Sequence, residues 1–561
     1  MSIVIGIDLG TSTTEAAVYR NGRPEMIVNP EGKVITPSVV GINQAGNWIV
    51  GEEARAQYLL FPENTAIEVK RKTGSHETVS IGKAKYEPVE LQMRLLSYVR
   101  GYVSECLGED VDRAVISVPA YFNDHQRRET RLAGEMAGFT VERILNEPTA
   151  AAMSYGLEHM DEESHVLVYD LGGGTFDVTL LEMFDGVLEV KASGGDNELG
   201  GKDFDERIMD DLLERFFEKH GQQLRGNPYA MVRVKEEAER CKIALSDQAS
   251  YRVLIPAICT VNGSPLEMDE IITRDQFEAL ARELMERTHA PIDGVLKDAD
   301  LTDEDIDRII LVGGSTRMPM VEKDIVSYLG KAPSRVVNPD YAVAEGAAIM
   351  AGIIAGEMDE ETGLVMTDVN PFTLGVRTAH LDDHDIMSVV IPRNTTIPVT
   401  RRERYATYAD RQTEARIEVY QGESMIASHN HYLGEFTIGG IPSRPARMET
   451  ISVAFTYDLN GLLNVSATVD STGKNASIEI NLGKEKRRDV SQWKEAEGAK
   501  PYRTVIRTAE RLLKKDALST GEKERIEELV YQLKEALIDG ERDRAEDAAD
   551  HVNAILAEAR D

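Results

Sequence analysis

Two short arrays of aspartate, glycine and threonine carry the clearest chemistry in this chain: Asp8-Leu9-Gly10-Thr11-Ser12-Thr13 and Asp170-Leu171-Gly172-Gly173-Gly174-Thr175. Glycine lets a backbone approach a phosphate closely, and the N–H groups and threonine hydroxyl then donate to its oxygens. Carboxylates beside a polyphosphate repel it unless a hydrated Mg²⁺ lies between, so Asp8 and Asp170 are the candidates to hold that cation through water. One copy alone reads better as a tight turn, but two copies in equivalent places of a duplicated chain reverse that preference. A third turn, Gly313-Gly314-Ser315-Thr316-Arg317, adds a guanidinium able to stack on a flat base. Glu239, Lys242 and Ser246 share one helical face, which taken alone describes a solvated amphipathic helix.

The elements that must position these residues follow one script twice. In each half an apolar strand runs into the aspartate, and two alternating strands follow, joined at Asn21-Gly22 and at Asp185-Gly186, residue pairs suited to type I′ hairpins. A further apolar strand comes later, Ala114 to Val118 before Pro119 and Arg308 to Val312 before Gly313. Each half closes on an Ala-rich helix announced by Asn and Pro, at Asn146-Glu147-Pro148 and Asn338-Pro339. Two similar lobes facing one cleft are expected.

At 561 residues several cooperating units are needed, and 42% apolar with 29% charged residues is the balance of a soluble folded chain. Acidic residues outnumber basic ones 97 to 63, and a net charge of −34 opposes nucleic acid and anionic membranes. Cys106, Cys241 and Cys259 are scattered, with neither zinc spacing nor a disulfide framework, and no leader-like or membrane-length apolar run occurs, so a cytoplasmic location is expected. From residue 369 the periodicity becomes two, describing an antiparallel β domain to about 483, with a hairpin at Asn460-Gly461. Beyond Lys484 it becomes helical: Ile526, Leu529, Val530, Leu533 and Leu537 share a face, Ser519 and Glu522 suit a capping box, and Gly540 ends that helix.

Gly6-Ile7-Asp8-Leu9-Gly10-Thr11, Val118-Pro119-Ala120-Tyr121-Phe122-Asn123, Val168 to Asp177 and Ile310 to Pro319 together closely resemble the signatures of the seventy-kilodalton heat-shock chaperones, the DnaK-like family. The resemblance covers essentially the whole chain. It implies a duplicated actin-like ATPase of the α/β class with ribonuclease H-like lobes, a β-sandwich peptide-binding domain and a short α-helical lid. The boundaries are then 1–356 for the nucleotide-binding domain (lobes meeting near 160), 357–368 for a linker, 369–483 for the β domain and 484–561 for the lid. It also implies ATP and ADP with Mg²⁺, and K⁺ as a further candidate, and a slow ATPase controlling the hold on extended apolar segments of unfolded client polypeptides. The implied partners are a J-domain co-chaperone and a nucleotide exchange factor.

By the same resemblance Lys70 positions water and stabilises phosphoryl charge, Glu147 orients that water or takes its proton, and Asp8, Asp170 and Thr175 complete the catalytic set. Gly200, Gly201, Glu239, Lys242, Ser246, Gly313, Gly314, Ser315, Arg317 and Asp340 fall at adenosine positions. Pro119 and Arg127 match a nucleotide-sensing switch, Arg143 a J-domain contact, and Leu364, Val365, Met366 and Asp368 the coupling linker, with Thr367 in a usually aliphatic run. Val376, Thr378, Tyr405, Ala415 and Ile417 match pocket positions, and Ala379 and Tyr408 an arch over the peptide. The short lid and Thr367-Asp368-Val369 resemble the HscC-type bacterial subgroup. Two rivals share the nucleotide chemistry: a metabolite kinase of the same fold, which has no use for residues 369–482, and an ATP-binding holdase or exchange relative with little turnover.

Overall fold

The computed structural model describes residues 3–75, 77–157, 159, 163–184, 186–261, 263–334, 338–358, 365–380, 383–479, 493 and 498–513. Beyond these it describes residues 526, 529–531, 533–534, 536–537, 545, 548–549 and 552. Side chains at 379–380, 383–384 and 478–479 lie outside the description, as do Asp185, Leu364, Ser519, Glu522, Gly540 and the side chain of Ala379 among the residues expected above to matter.

The duplication is visible in two sheets built alike. In the first, Thr140–Asn146, Arg113–Val118 and Val4–Leu9 run parallel, and Val4–Leu9 pairs antiparallel with Thr13–Arg20, which continues to Arg23–Met26. In the second, Arg308–Val312 runs parallel to Ser164–Leu171, and that strand leads antiparallel into Phe176–Phe184 and Val187–Asp196. Each aspartate motif thus ends a strand paired on both sides, parallel on one and antiparallel on the other. Asn21 and Gly22 both take positive φ, 54° and 79°, the twist a two-residue hairpin needs.

The two Ala-rich helices explain how the lobes meet. Glu147–Gly156 and Ala342–Ala355 are buried along nearly their whole lengths and pack in one core with Val166, Val168, Ile310 and Val312. Small residues are required there because a Cβ on Gly346 would sit 1.7 Å from the Ala150 carbonyl oxygen, and one on Gly6 would sit 2.2 Å from the Ala348 nitrogen.

Two compact units emerge: Met1–Thr373 with Ile391–Glu403 and Ala454–Val465, and Leu374–Val390 with Arg404–Val453 and Ser466–Asp561. The first includes two segments that the sequence reading placed between 369 and 483. It also includes Val365–Val369, which forms a strand rather than a slack connection: it pairs parallel with Val187, Leu188 and Glu189, and antiparallel with Thr396–Ile397. The C-terminal part of the chain supplies two four-stranded sheets, ordered Asp383–Ile391, Leu374–His380, Glu414–Gln421, His431–Gly439 and Val399–Ala406, Thr450–Tyr457, Leu463–Val469, Asn475–Glu479. The apolar face anticipated for the tail is buried as expected, Ile526, Leu529, Val530, Leu533 and Leu537 sharing a cluster with Ile506, Ala509 and Trp493.

Candidate active site

The strand ends set the first geometry. Ser117, at the penultimate position of Arg113–Val118, donates its hydroxyl to Asp8 Oδ1 at 2.7 Å and accepts the Leu9 N–H at 3.2 Å, which fixes the first aspartate against its neighbouring strand. Ser38 braces the same loop, donating to the Gly10 carbonyl at 2.9 Å. In the second loop the Gly172 carbonyl accepts from Gly201 N–H and from the Ser315 hydroxyl, each at 2.9 Å, so three of the expected glycine turns meet at one carbonyl.

The loops of the two lobes touch. A Cβ on Gly173 would lie 2.3 Å from Ser12 Oγ, one on Gly174 2.9 Å from Thr11, and one on Gly201 2.4 Å from Ser315 Oγ. Gly313 has φ 82° with the Leu171 carbonyl 2.4 Å from any added Cβ, so both its conformation and its surroundings exclude a side chain. Gly173, Gly174, Gly200, Gly201 and Gly313 are therefore packed too closely against neighbouring atoms to carry a side chain, and Gly10 lies as closely against the Thr13 carbonyl.

Lys70 enters from a 3₁₀ turn, Val69–Lys72, and is 5% exposed. Its ammonium donates to the Leu9 carbonyl at 2.5 Å and to Glu147 Oε1 at 2.6 Å. Glu147 is the first residue of its helix, where the dipole favours a carboxylate. Asp8, Asp170, Asp177 and Glu147 crowd around this ammonium. Burial, then the Glu147 charge, pushes the Asp8 carboxyl up to about 7. Asp177 is also pushed up to about 7 by burial and Glu147, and burial with the charges of Glu147, Asp177 and Asp8 holds Asp170 well above its ordinary value. One lysine does not offset so many buried carboxylates, so the site is electrostatically built to receive a cation.

The outer residues close the cleft. Lys242 donates to the Gly201 carbonyl at 2.9 Å and pairs with Asp205 at 2.8 Å, and Ser246 lies one turn further along the same helix, Pro228–Asp247. Glu239 is held by Arg55 at 2.7 Å and Lys202 at 3.4 Å, while Glu68 takes Lys235 at 2.7 Å. Arg71 donates to the Gly174 carbonyl at 3.2 Å and pairs with Asp203 at 2.6 Å. Arg317, which is exposed, pairs with Asp340 at 2.6 Å, and Asp340 lies beside Gly314. The helix carrying Glu239, Lys242 and Ser246 is thus a cleft wall rather than a solvated face. Arg55, Glu68, Arg71, Ser117, Lys202 and Lys235 were not anticipated. Ser117 had a signal, a hydroxyl in an otherwise apolar strand, whereas the ion pairs join residues 37 or more positions apart and leave none.

The expected switch residues also assemble. Arg127 donates to the Ala120 and Phe122 carbonyls at 2.9 and 3.1 Å and to Asn146 Oδ1 at 2.6 Å; Asn146 donates onward to Asp368 at 2.9 Å. Thr149 also donates to Asp368, at 3.3 Å, and Pro119 is buried at the base of the turn. Arg143 faces the charges of Asp368 and Asp458. Val365 and Met366 pair with Val187 and Leu188.

In the second unit Val376 and Ile417 are buried on neighbouring strands, and Ala415 lies opposite Ile438. Thr378 donates to the Ile386 carbonyl at 3.2 Å, and the Tyr405 hydroxyl reaches Ser388 Oγ at 3.0 Å, bridging the two sheets. Tyr408 is 74% exposed.

A family model described as Hsp70 protein matches residues 4–561. The chain is 42% identical over 554 residues to the chaperone protein DnaK of Thermosipho africanus, covering 95% of this chain and 92% of the relative. It is 45% identical over 502 residues to the chaperone protein DnaK of Thermotoga neapolitana, with 89% and 83% covered, and 42% identical over 556 residues to that of Thermotoga petrophila, with 95% and 92% covered. Matching signatures in both lobes, a shared cleft and end-to-end similarity converge on one statement: the chain belongs to the Hsp70 family.

Proposed function

We propose that the paired glycine loops hold Mg-ATP and that Lys70 and Glu147 run its hydrolysis in an ATP-dependent molecular chaperone. The observation that carries this reading is the buried Lys70–Glu147 pair seated on the Leu9 carbonyl, with Gly173 and Gly174 close against the side chains of Ser12 and Thr11. Thr11, Ser12, Thr13, Gly172, Gly173, Gly174 and Thr175 offer donors to the phosphates, and Gly314, Ser315, Arg317, Asp340, Glu239, Lys242 and Ser246 frame the adenosine. Asp8 and Asp170 fit Mg²⁺ by charge, held through its water shell. When bound, the cation screens the phosphate charge.

This chain's own residues then do the positioning. The Lys70 ammonium faces the charge that builds on the transferred phosphoryl group, and Glu147, already oriented by Lys70, accepts the proton of the attacking water. Lys70 moves with the 3₁₀ turn that also carries Arg71, so hydrolysis and closure across the cleft depend on one short segment.

The link to clients runs through Asp368, Asn146 and Arg127, which connect the strand Val365–Val369 to the helix that begins with Glu147. The second unit takes extended apolar peptide at Val376, Thr378, Ala379, Tyr405, Ala415 and Ile417, with Tyr408 above. Main-chain bonding along a strand accepts any sequence while the pocket selects an apolar side chain. A J-domain co-chaperone and an exchange factor act on this cycle in the cytoplasm. The test is dissociation of a labelled apolar peptide with ATP, ADP and no nucleotide. Release accelerated by ATP alone supports the reading; equal rates in all three, or phosphate transfer to a sugar, refute it.

A further inference from the structure

The turn that carries Lys70 is short. Val69–Lys72 is a single 3₁₀ turn, continued at its ends by Arg71 N–H to the Glu68 carbonyl at 3.1 Å and Thr73 N–H to the Lys70 carbonyl at 3.2 Å. Such turns are short and have poorer hydrogen-bond geometry than an α-helix, so their position is set from outside.

Glu129 supplies an outside hold. Its buried carboxylate accepts the Gly74 N–H. Gln92 of helix Pro88–Leu107 donates to the Thr73 hydroxyl. Gly74 has φ 76° and lies so close to helix Asp124–Met136 that an added Cβ would be 2.7 Å from Gln126 Cγ. The loop directly after Lys70 is therefore held by two helices, through the Glu129 carboxylate on Gly74 and through Gln92 on Thr73.

The helix bearing Glu129 is itself immobilised. Asn123 caps it, Arg127 makes three hydrogen bonds, and Asp124 with Arg128 grips the Leu463 backbone, accepting its N–H at 2.8 Å and donating to its carbonyl at 2.6 Å. Glu129 is 7% exposed, and burial pushes its carboxyl up to about 7. A buried carboxyl is costly where an apolar side chain would fit, and such costs concentrate at sites that need a fixed geometry. A group held within a fraction of an ångström must rest on a rigid support.

We infer that Glu129 is a positioning residue for Lys70, holding the 73–75 loop so that the ammonium stays between Leu9 and Glu147. The inference rests on the proposed catalytic role of Lys70. Aspartate at 129 keeps the carboxyl but withdraws it by about 1.5 Å; glutamine keeps an acceptor at full reach.

The test uses the full chain in single-turnover hydrolysis, with ATP affinity measured alongside and each variant assayed well below its own melting midpoint. E129D should slow hydrolysis about 5- to 50-fold with ATP affinity unchanged, since a displacement of about 1 Å at a positioned group costs up to about 100-fold. E129Q should stay within about twofold of the parent, and adding E129D to K70A should produce no further slowing. Hydrolysis by E129D at the parental rate, a loss of ATP affinity in proportion to rate, or independent slowing in the K70A background would each overturn the inference. If K70A itself turns over at the parental rate, the Lys70 reading fails; if K70A is slow while E129D matches the parent, the Glu129 inference fails alone.

Discussion

Thr367→Val should tighten the strand that joins the two halves of this chain. Thr367 pairs opposite Glu189 in the parallel ladder, half-buried, and its hydroxyl has no hydrogen-bond partner among the described residues. A buried polar atom left unpaired costs about 1–3 kcal/mol, and valine matches threonine in shape while suiting a strand equally well. Allowing for partial exposure, the paired strand should gain about 1 kcal/mol, which is roughly a fivefold shift in its docking equilibrium. Amide hydrogen exchange reports this directly. With ATP present, the amides of Val365–Val369 should exchange about fivefold more slowly in T367V than in the parent, and T367S, which keeps the hydroxyl, should show no gain. Unchanged or faster exchange in T367V, or equal protection in T367S, would refute the idea that the unpaired hydroxyl weakens this strand.

Lys70→Ala and Glu147→Gln should each lower single-turnover hydrolysis by about 100-fold or more while leaving ATP affinity within a few-fold, because both act on charge that develops during the reaction; equal losses of rate and affinity would argue for a binding role. The raised Asp8 carboxyl holds its proton in the empty protein up to about pH 7, so Mg-nucleotide binding near pH 6 should release protons and weaken as pH falls. Calorimetry in two buffers of different ionisation enthalpy checks this, and a buffer-independent heat at that pH contradicts it. The same raised acids at Asp8 and Asp177 favour the neutral form in the folded state, so the nucleotide-free protein should lose stability as pH rises through about 7, and should gain it from about 7 down toward ordinary carboxylate values. Gly346→Ala places a Cβ 1.7 Å from a backbone oxygen, so the crossing of the two Ala-rich helices must open. A destabilisation of about 3 kcal/mol or more should appear as a clear fall in melting midpoint, and an unchanged midpoint would mean the crossing yields freely.

Local chemistry was legible in the amino-acid order. Aspartate followed by glycine at the end of an apolar strand, repeated in both halves, announced two tight turns at strand ends. Asn21-Gly22 announced its hairpin, and the 3.6-residue spacing of Ile526, Leu529, Val530, Leu533 and Leu537 announced a buried face. Each of these signals depends on residues a few positions apart, where backbone geometry alone dictates what can happen. Lys70 and Glu147 are different: their roles came through family resemblance, since neither has a local pattern that distinguishes it from Arg71, Lys72 or an ordinary helix start.

Only the tertiary structure decided which distant groups meet. Ser117 orients Asp8 across 109 positions, Arg71 reaches Asp203 across 132, and Arg128 grips the Leu463 carbonyl across 335. Periodicity tells a segment which of its faces is apolar but not which partner will cover it. The strand Val365–Val369 has no local sign of its partner, which is Val187–Asp196. Glu129 is the sharpest instance. In the sequence it is one acid in a charged helix, and its hold on Gly74 exists because that helix and the Lys70 loop meet at its buried carboxylate.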